Sequence, residues 1–124
     1  MIFEKTSFGN ITIDGKTYNH DVYLFVDATL QERDKSHSPR ISGHRSLSEW
    51  ELKQILKNDP EILIIGMGQS GILPMTDGAI EEIQVAKKER NLQVIQGNTP
   101  DILGKTNDAL KSGKRVAGVF HTTC

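Results

Sequence analysis

Cysteine is nearly absent: Cys124 is the single one among 124 residues. No internal disulfide can form, and the cytosol is the expected compartment. Long apolar runs are also lacking. Val22–Val26 and Ile62–Ile65 are short, against the roughly 20 apolar residues a membrane helix needs. A membrane is therefore not an expected partner. The start, MIFEKTSFGN, has no basic segment followed by an apolar stretch, so no secretion signal or transit peptide is expected. Neither sign of charge is in excess. Fifteen Lys and Arg stand against sixteen Asp and Glu, for a net charge of −1. Binding of nucleic acid by bulk charge is excluded from expectation on that ground. Clustered metal ligands are missing too. No two of His20, His37, His44 and His121 stand three to five residues apart on an expected helix. No metal and no cofactor are expected, and these histidines read as surface or strand-end residues.

What remains is an ordinary globular composition, 36% apolar and 25% charged, of a length that suits one domain over residues 1–124. The first 26 residues read as strands. Phe3–Phe8 and Ile11–Tyr18 flank the turn signal Gly9–Asn10, and Asp14–Gly15 marks a second tight turn inside the later run. Val22–Val26 is apolar throughout and reads as a strand buried on both faces. Composition then shifts. Gln31–Ser46 carries Arg33, Lys35, Arg40 and Arg45 against Glu32 and Asp34, and Ile41 is its only large apolar residue. It is expected to be a long loop, the least protected internal segment, because so little in it offsets the entropy of ordering.

From there the order of elements repeats. Ser46 or Ser48, with Glu49 or Glu51, caps a helix whose apolar stripe is Leu52, Ile55 and Leu56. Asn58–Pro60 ends it. The strand Glu61–Ile65, the loop Gly66–Gly71 and a helix from about Thr76 to Arg90 follow, with Asn91 at the helix end. The strand Leu92–Gln96 leads to Thr99–Pro100 at the start of a third helix. Arg115–His121 is the last strand. The β-α-β-α-β order predicts an α/β fold with a central, largely parallel sheet covered by helices.

Three motifs sit in this frame. Gly66–Gly71 spells G-x-G-x-x-G, but Pro74 delays the helix and no acidic residue ends the next strand, so a dinucleotide is not expected. Gly104–Thr106 ends like a P-loop without the upstream glycine. Gly68–Ile72 is one residue off a nucleophile elbow, because Ile72 stands where close packing requires glycine. The open readings of the loop are a tight turn or an anion nest built from the backbone N–H groups at Gly66, Gly68, Ser70 and Gly71. Arg40 and Arg45 would assist that nest if their segment folded over it.

The chain also resembles a known family. The pieces that carry the likeness are Phe8–Gly9, Ile11–Gly15, Tyr18–Asp21, Ile64–Gly68, Thr99, Asn107–Leu110 and His121–Cys124. They are similar to the Mth-nine-three-eight domain family, which includes an adipogenesis-associated Mth-domain protein and a mitochondrial complex I assembly factor. The resemblance implies a three-layer α/β domain with a central mixed sheet and a small extra N-terminal β layer. It implies no catalytic activity; members act in assembly or regulation through partners.

The leading expectation is thus a non-catalytic cytoplasmic domain that works through a protein partner or a weakly bound anionic small molecule. No catalytic residue is assigned. The alternative is an enzyme on an anionic substrate, with Gly66–Gly71 as oxyanion or phosphate cradle and His44, His121 or Ser70 supplying the chemistry. A pocket with a histidine within hydrogen-bond reach of Ser70 or of a bound anion favours the enzyme; a flat apolar patch beside the glycine loop favours the partner.

Overall fold

Phe3–Ser7 (β1) and Asn10–Ile13 (β2) pair antiparallel about Phe8–Gly9, in the computed structural model, which describes residues 1–124. The turn lies one residue earlier than Gly9–Asn10. Asn10 is already in β2 opposite Ser7, and its side-chain oxygen accepts from the Ser7 hydroxyl at 3.0 Å. Asp14 and Gly15 both have positive φ and turn the chain into Lys16–Tyr18 (β3). These three strands form a separate antiparallel sheet, the extra N-terminal layer.

Val22–Leu24 (β4) is shorter than the apolar run that contains it. Phe25 instead closes a turn by accepting from the Ala28 amide at 2.9 Å, and the chain returns as Leu30–Glu32 (β5). The segment expected as a loop is structured. Beyond β5 it holds a two-stranded hairpin, Arg40–Ile41 (β6) and His44–Arg45 (β7), and it buries Arg33, Ser38 and Ser46. Apolar content misjudged it because polar groups anchor it.

Ser48 caps Glu49–Ile55 (α1) with Glu51 completing the capping box, the later of the two registers the sequence allowed. Ile62–Met67 (β8) runs past the expected strand end, so Gly66 is a sheet residue paired with Gly97 and Phe120 rather than part of a loop. Asp77–Arg90 (α2) runs between Thr76 and a left-handed Asn91, and Gln93–Gly97 (β9) follows. Thr99–Lys111 (α3) has Asn98, not Thr99, at its N-cap position, without a capping side-chain bond. The Thr99 hydroxyl is used elsewhere: it donates to the His121 carbonyl at 2.6 Å and accepts from the Gly68 amide at 2.9 Å. Val116–His121 (β10) completes the main sheet, whose order is β5-β4-β10-β8-β9.

The sheet is mixed. β8, β9 and β10 are parallel; β4 runs against them, and β5, antiparallel to β4, runs with them. Strand alternation sorts its side chains into two cores. Tyr23, Leu63, Ile65, Ala117 and Val119 pack against α1 and α2. Val22, Leu24, Ile62, Ile64 and Phe120 face α3 and the N-terminal sheet, meeting Phe3, Ile11 and Ile102. Asn107 of α3 clasps the N-terminal sheet by bonding both the amide and the carbonyl of Phe3 at 2.8 Å.

Candidate functional site

Four charged or titratable side chains meet at one end of the main sheet's strands. Asp21 precedes β4, Arg33 follows β5, Glu51 opens α1 and His121 ends β10; all four are buried. Arg33 lies between the two carboxylates. Its Nη1 donates to Asp21 Oδ2 at 3.0 Å and its Nε to Glu51 Oε1 at 2.7 Å, while Nη2 donates to the Ser46 carbonyl at 2.8 Å. Tyr23 Oη donates to Glu51 Oε1 at 2.7 Å, and Ser38 Oγ and the Ser48 amide donate to Oε2 at 2.8 Å each. Asp21 Oδ2 also bonds His121 Nδ1 at 2.7 Å, and Oδ1 accepts from both the amide and the hydroxyl of Thr122 at 2.8 Å.

The electrostatics follow from that geometry. Burial alone pushes the Asp21 carboxyl up. The His121 bond and charge, the Thr122 amide and Arg33 outweigh it and hold the group well below the usual carboxylate range. Glu51 is also held low: burial opposes ionisation, but the Arg33 bond and charge, then Tyr23 and Ser48, prevail. Tyr23 is pushed up, by burial first and by its bond to Glu51 second. No buried side-chain nitrogen or oxygen lacks a partner. The cluster therefore satisfies itself, as a buried ion network must if it is not to cost stability.

Residue spacing did not point to this cluster. Asp21, Arg33, Glu51 and Thr122 come from four separated places and share no motif. One usable signal was the 16-residue polar segment itself, since a compact domain seldom leaves so long a stretch unanchored. His121 ends a strand, as expected, but it is buried rather than on the surface.

The glycine loop is built around the segment Thr122–Cys124. Gly68 has φ +100, and a Cβ there would strike the Cys124 backbone and stand 2.7 Å from the His121 ring. A Cβ on Gly66 would stand 2.7 Å from Thr99 Oγ1. The Gln69 amide donates to the Thr123 carbonyl at 2.7 Å and the Ile72 amide to the Cys124 carbonyl at 2.9 Å. Four amides were expected to face an anion. Gly66 lies within the sheet and the Gly68 amide is given to Thr99. Only the Ser70 and Gly71 amides carry no internal bond. Nor does the basic segment fold over them: Arg40 Nη1 bonds the Gly43 carbonyl at 3.1 Å, and Arg45 Nη1 the Lys35 carbonyl at 2.6 Å. Ser70 is bonded to no histidine; His121 turns to Asp21 and, through Nε2, to Thr123 Oγ1 at 3.3 Å.

Gly68→Ala is expected to lower stability by about 2 kcal/mol or more, since left-handed backbone alone costs an L-residue about 1–2 kcal/mol. Gly104 provides the control. It lies in α3 with open space around it, so alanine there should stabilise by roughly 0.5–1 kcal/mol. Urea midpoints of the two variants check both, and equal midpoints would refute the account of Gly68.

Two large apolar side chains stand out at this end of the molecule. Phe8, at the β1–β2 turn, is 67% exposed, and Ile72, in the glycine loop, is 47% exposed. Both loops are fastened to the same segment, by Gly9 N–H to the Thr122 carbonyl at 2.9 Å and by Ile72 N–H to Cys124. Gln69 Nε2 also donates to Thr6 Oγ1 at 3.0 Å. Next to the β1–β2 turn opens a depression of about 390 Å³ with no large apolar residue in its lining, which includes Gly9, His20, Asp21, Arg33, Lys35 and Thr122.

Comparison with known proteins gives consistent matches. Residues 3–121 match the model of a family described as protein of unknown function, DUF498/DUF598. A "13 kDa major membrane protein" of Francisella tularensis subsp. holarctica (strain LVS) is 28% identical over 100 residues, 80% of this chain and 74% of that one. A conserved hypothetical protein of Pyrococcus horikoshii OT3 superposes with a TM-score of 0.81 at 28% identity, over 100% of both chains. The protein MT938 superposes at 0.79 and 28%, over 99% of this chain and 98% of its own. No helix of the present structure is long and apolar enough to cross a membrane.

Proposed function

This chain belongs to the DUF498/DUF598 family, and on that premise we propose that it is a non-catalytic domain acting through a protein partner that docks on the end formed by Phe8, Ile72 and Thr122–Cys124. The carrying observation is that Phe8 and Ile72 are exposed on two loops which hydrogen bonds fasten to one segment. Burying such side chains yields about 25 cal/mol per Å² of apolar area. Loops already held in place lose little further entropy on binding, so more of that gain is kept. The partner presents an apolar face with a polar border, matching the depression beside Phe8. The compartment proposed is the cytoplasm. Cell fractionation tests it, with recovery in membranes as the opposing outcome that the name of the Francisella relative brings to mind.

The interaction is tested by affinity purification with the native chain and with the Phe8→Ser/Ile72→Ser variant, after matching their melting temperatures. Partners that depend on this end should fall about tenfold or more in the variant, the effect of roughly 1.4 kcal/mol. An unchanged set of bound proteins would sink the proposal.

A second reading rests on the free Ser70 and Gly71 amides: a weak anion site, no better than about millimolar. An NMR titration with phosphate that shifts those two amides saturably supports it, and unshifted amides reject it. The enzyme alternative needs His44, His121 or Ser70 to serve the loop Gly66–Gly71, whereas His121 is paired with Asp21. That pair bonds no Ser70, and every buried polar atom around it is already satisfied.

A further inference from the structure

We propose that β9 is an interface strand whose partner is a second copy of this chain, paired antiparallel about a two-fold axis centred on Ile95. β9 ends the main sheet, so one side of its backbone pairs with β8 and the other with no strand. Exposed strand edges are normally protected by charged side chains, proline, a bulge, very short length or a covering element. Gln93–Gly97 has no charge and no proline, and its register with β8 runs unbroken from Ile62–Gln93 to Gly66–Gly97. The opposite edge does show such protection. β5 has three residues, and Glu32 of that strand lies 3.8 Å from His20.

Register and charge favour a second copy over a foreign strand. A two-fold at Ile95 pairs Val94 with Gln96 and brings Ile95 beside its own counterpart, so the whole strand is used by both copies. Side-chain alternation stays in phase across such a pairing. Val94 then remains on the α2 face and Ile95 on the α3 face in both copies. The second reason is charge. A groove of about 300 Å³ runs between β9 and α3, with Ile62, Ile95 and Ala109 among its apolar lining and Lys105 and Asp108 on its border. A two-fold normal to the sheet lays one α3 antiparallel to the other. Lys105 of each copy then meets Asp108 of the other, so the contact is made twice. An isologous interface needs this self-complementarity.

Sedimentation equilibrium up to about a millimolar, the range of weak but specific association, tests it with three variants. Native chain should show a reversible dimer. Gln96→Lys places a charge on the edge and should weaken the dimer at least tenfold. Lys105→Glu should weaken it as well, and the Lys105→Glu/Asp108→Lys exchange should restore it. All of these substitutions fall on exposed side chains, so folding is preserved and checked by circular dichroism. A monomer at every concentration would overturn the proposal. So would a dimer indifferent to Gln96→Lys, or a charge exchange that fails to restore association. A chain that stays monomeric but binds an unrelated strand peptide along β9 would likewise reject the second copy as occupant.

Discussion

Arg33→Ala is expected to destabilise the protein by about 3–5 kcal/mol, the usual cost of removing one partner from a buried ion network. In a domain of this size that lowers Tm by on the order of 10 °C or more. The reason lies in what stays behind. Asp21 and Glu51 are both buried, and each loses the cation that its ionised form faces. The Ser46 carbonyl loses its Nη2 donor, and the hairpin segment loses its main tie to the sheet. A second readout follows. Lys35, Arg40 and Arg45 are exposed but held by the docked segment, whereas Arg33 is buried. Trypsin should leave the Arg33–Asp34 bond intact in the native chain and attack this region much faster in the variant. Pairing Arg33→Met with Glu51→Gln removes both charges of one ion pair and should recover part of the loss. A change in Tm under about 3 °C for Arg33→Ala, below roughly 1 kcal/mol, would show that the network contributes little.

Acid should loosen the same fold. Asp21 and Glu51 both have folded-state ionisation pushed down from the ordinary carboxylate value. A depressed folded pKa means that the unfolded chain takes up protons first as pH falls. The associated stability is therefore fully present above the unfolded value, near pH 4, and is lost progressively below it. Urea midpoints should hold steady from neutrality to about pH 5 and then fall steeply. Asp21→Asn should be less stable at neutral pH yet show a shallower acid limb, which separates this network from the general effect of surface carboxylates. Tyr23 works in the opposite sense. Its hydroxyl is pushed up by burial and by Glu51, so its contribution is present below the unfolded value near pH 10 and is lost as pH rises past it. Tyr23→Phe should flatten that alkaline limb. An acid limb of equal steepness in the native chain and in Asp21→Asn would contradict the placement of Asp21.

How much of this was legible depended on the kind of interaction. Local rules served well. The Asp14–Gly15 turn, the Ser48–Glu51 capping box and the left-handed Asn91 each depend on neighbours a few residues away. The parallel core from β8 to β10 could be read from apolar strands alternating with amphipathic helices. The pieces that carried the family resemblance were also the pieces that hold distant chain segments together. Asp21 meets His121 and Thr122, Thr99 joins Gly68 to His121, and Asn107 clasps Phe3. What escaped was polar burial. Arg33 looks like any surface arginine in a polar stretch, and only Asp21, Glu51 and Ser46 arriving from elsewhere make its burial favourable. The glycines of the loop were legible as a need for permissive backbone. Their reason, the approach of Cys124 and His121, depends on residues more than fifty positions away and leaves no local trace.

The strand order has a consequence for how the chain is made. β10 lies at the centre of the main sheet, between β4 and β8, yet it follows all the other strands in the sequence. During synthesis the antiparallel pair β4–β5 and the parallel pair β8–β9 emerge with facing edges exposed, and neither can join the other. The wedge that unites them leaves the ribosome after both, and with it come His121 and Thr122 to satisfy Asp21. Folding on the ribosome therefore waits for residues 116–122, and nascent chains halted before that point carry two open sheet edges prone to mispairing. A short extension after Cys124, long enough to clear the exit tunnel while the chain is still tethered, should allow native packing on the ribosome. Stalling the chain at residue 115 should not.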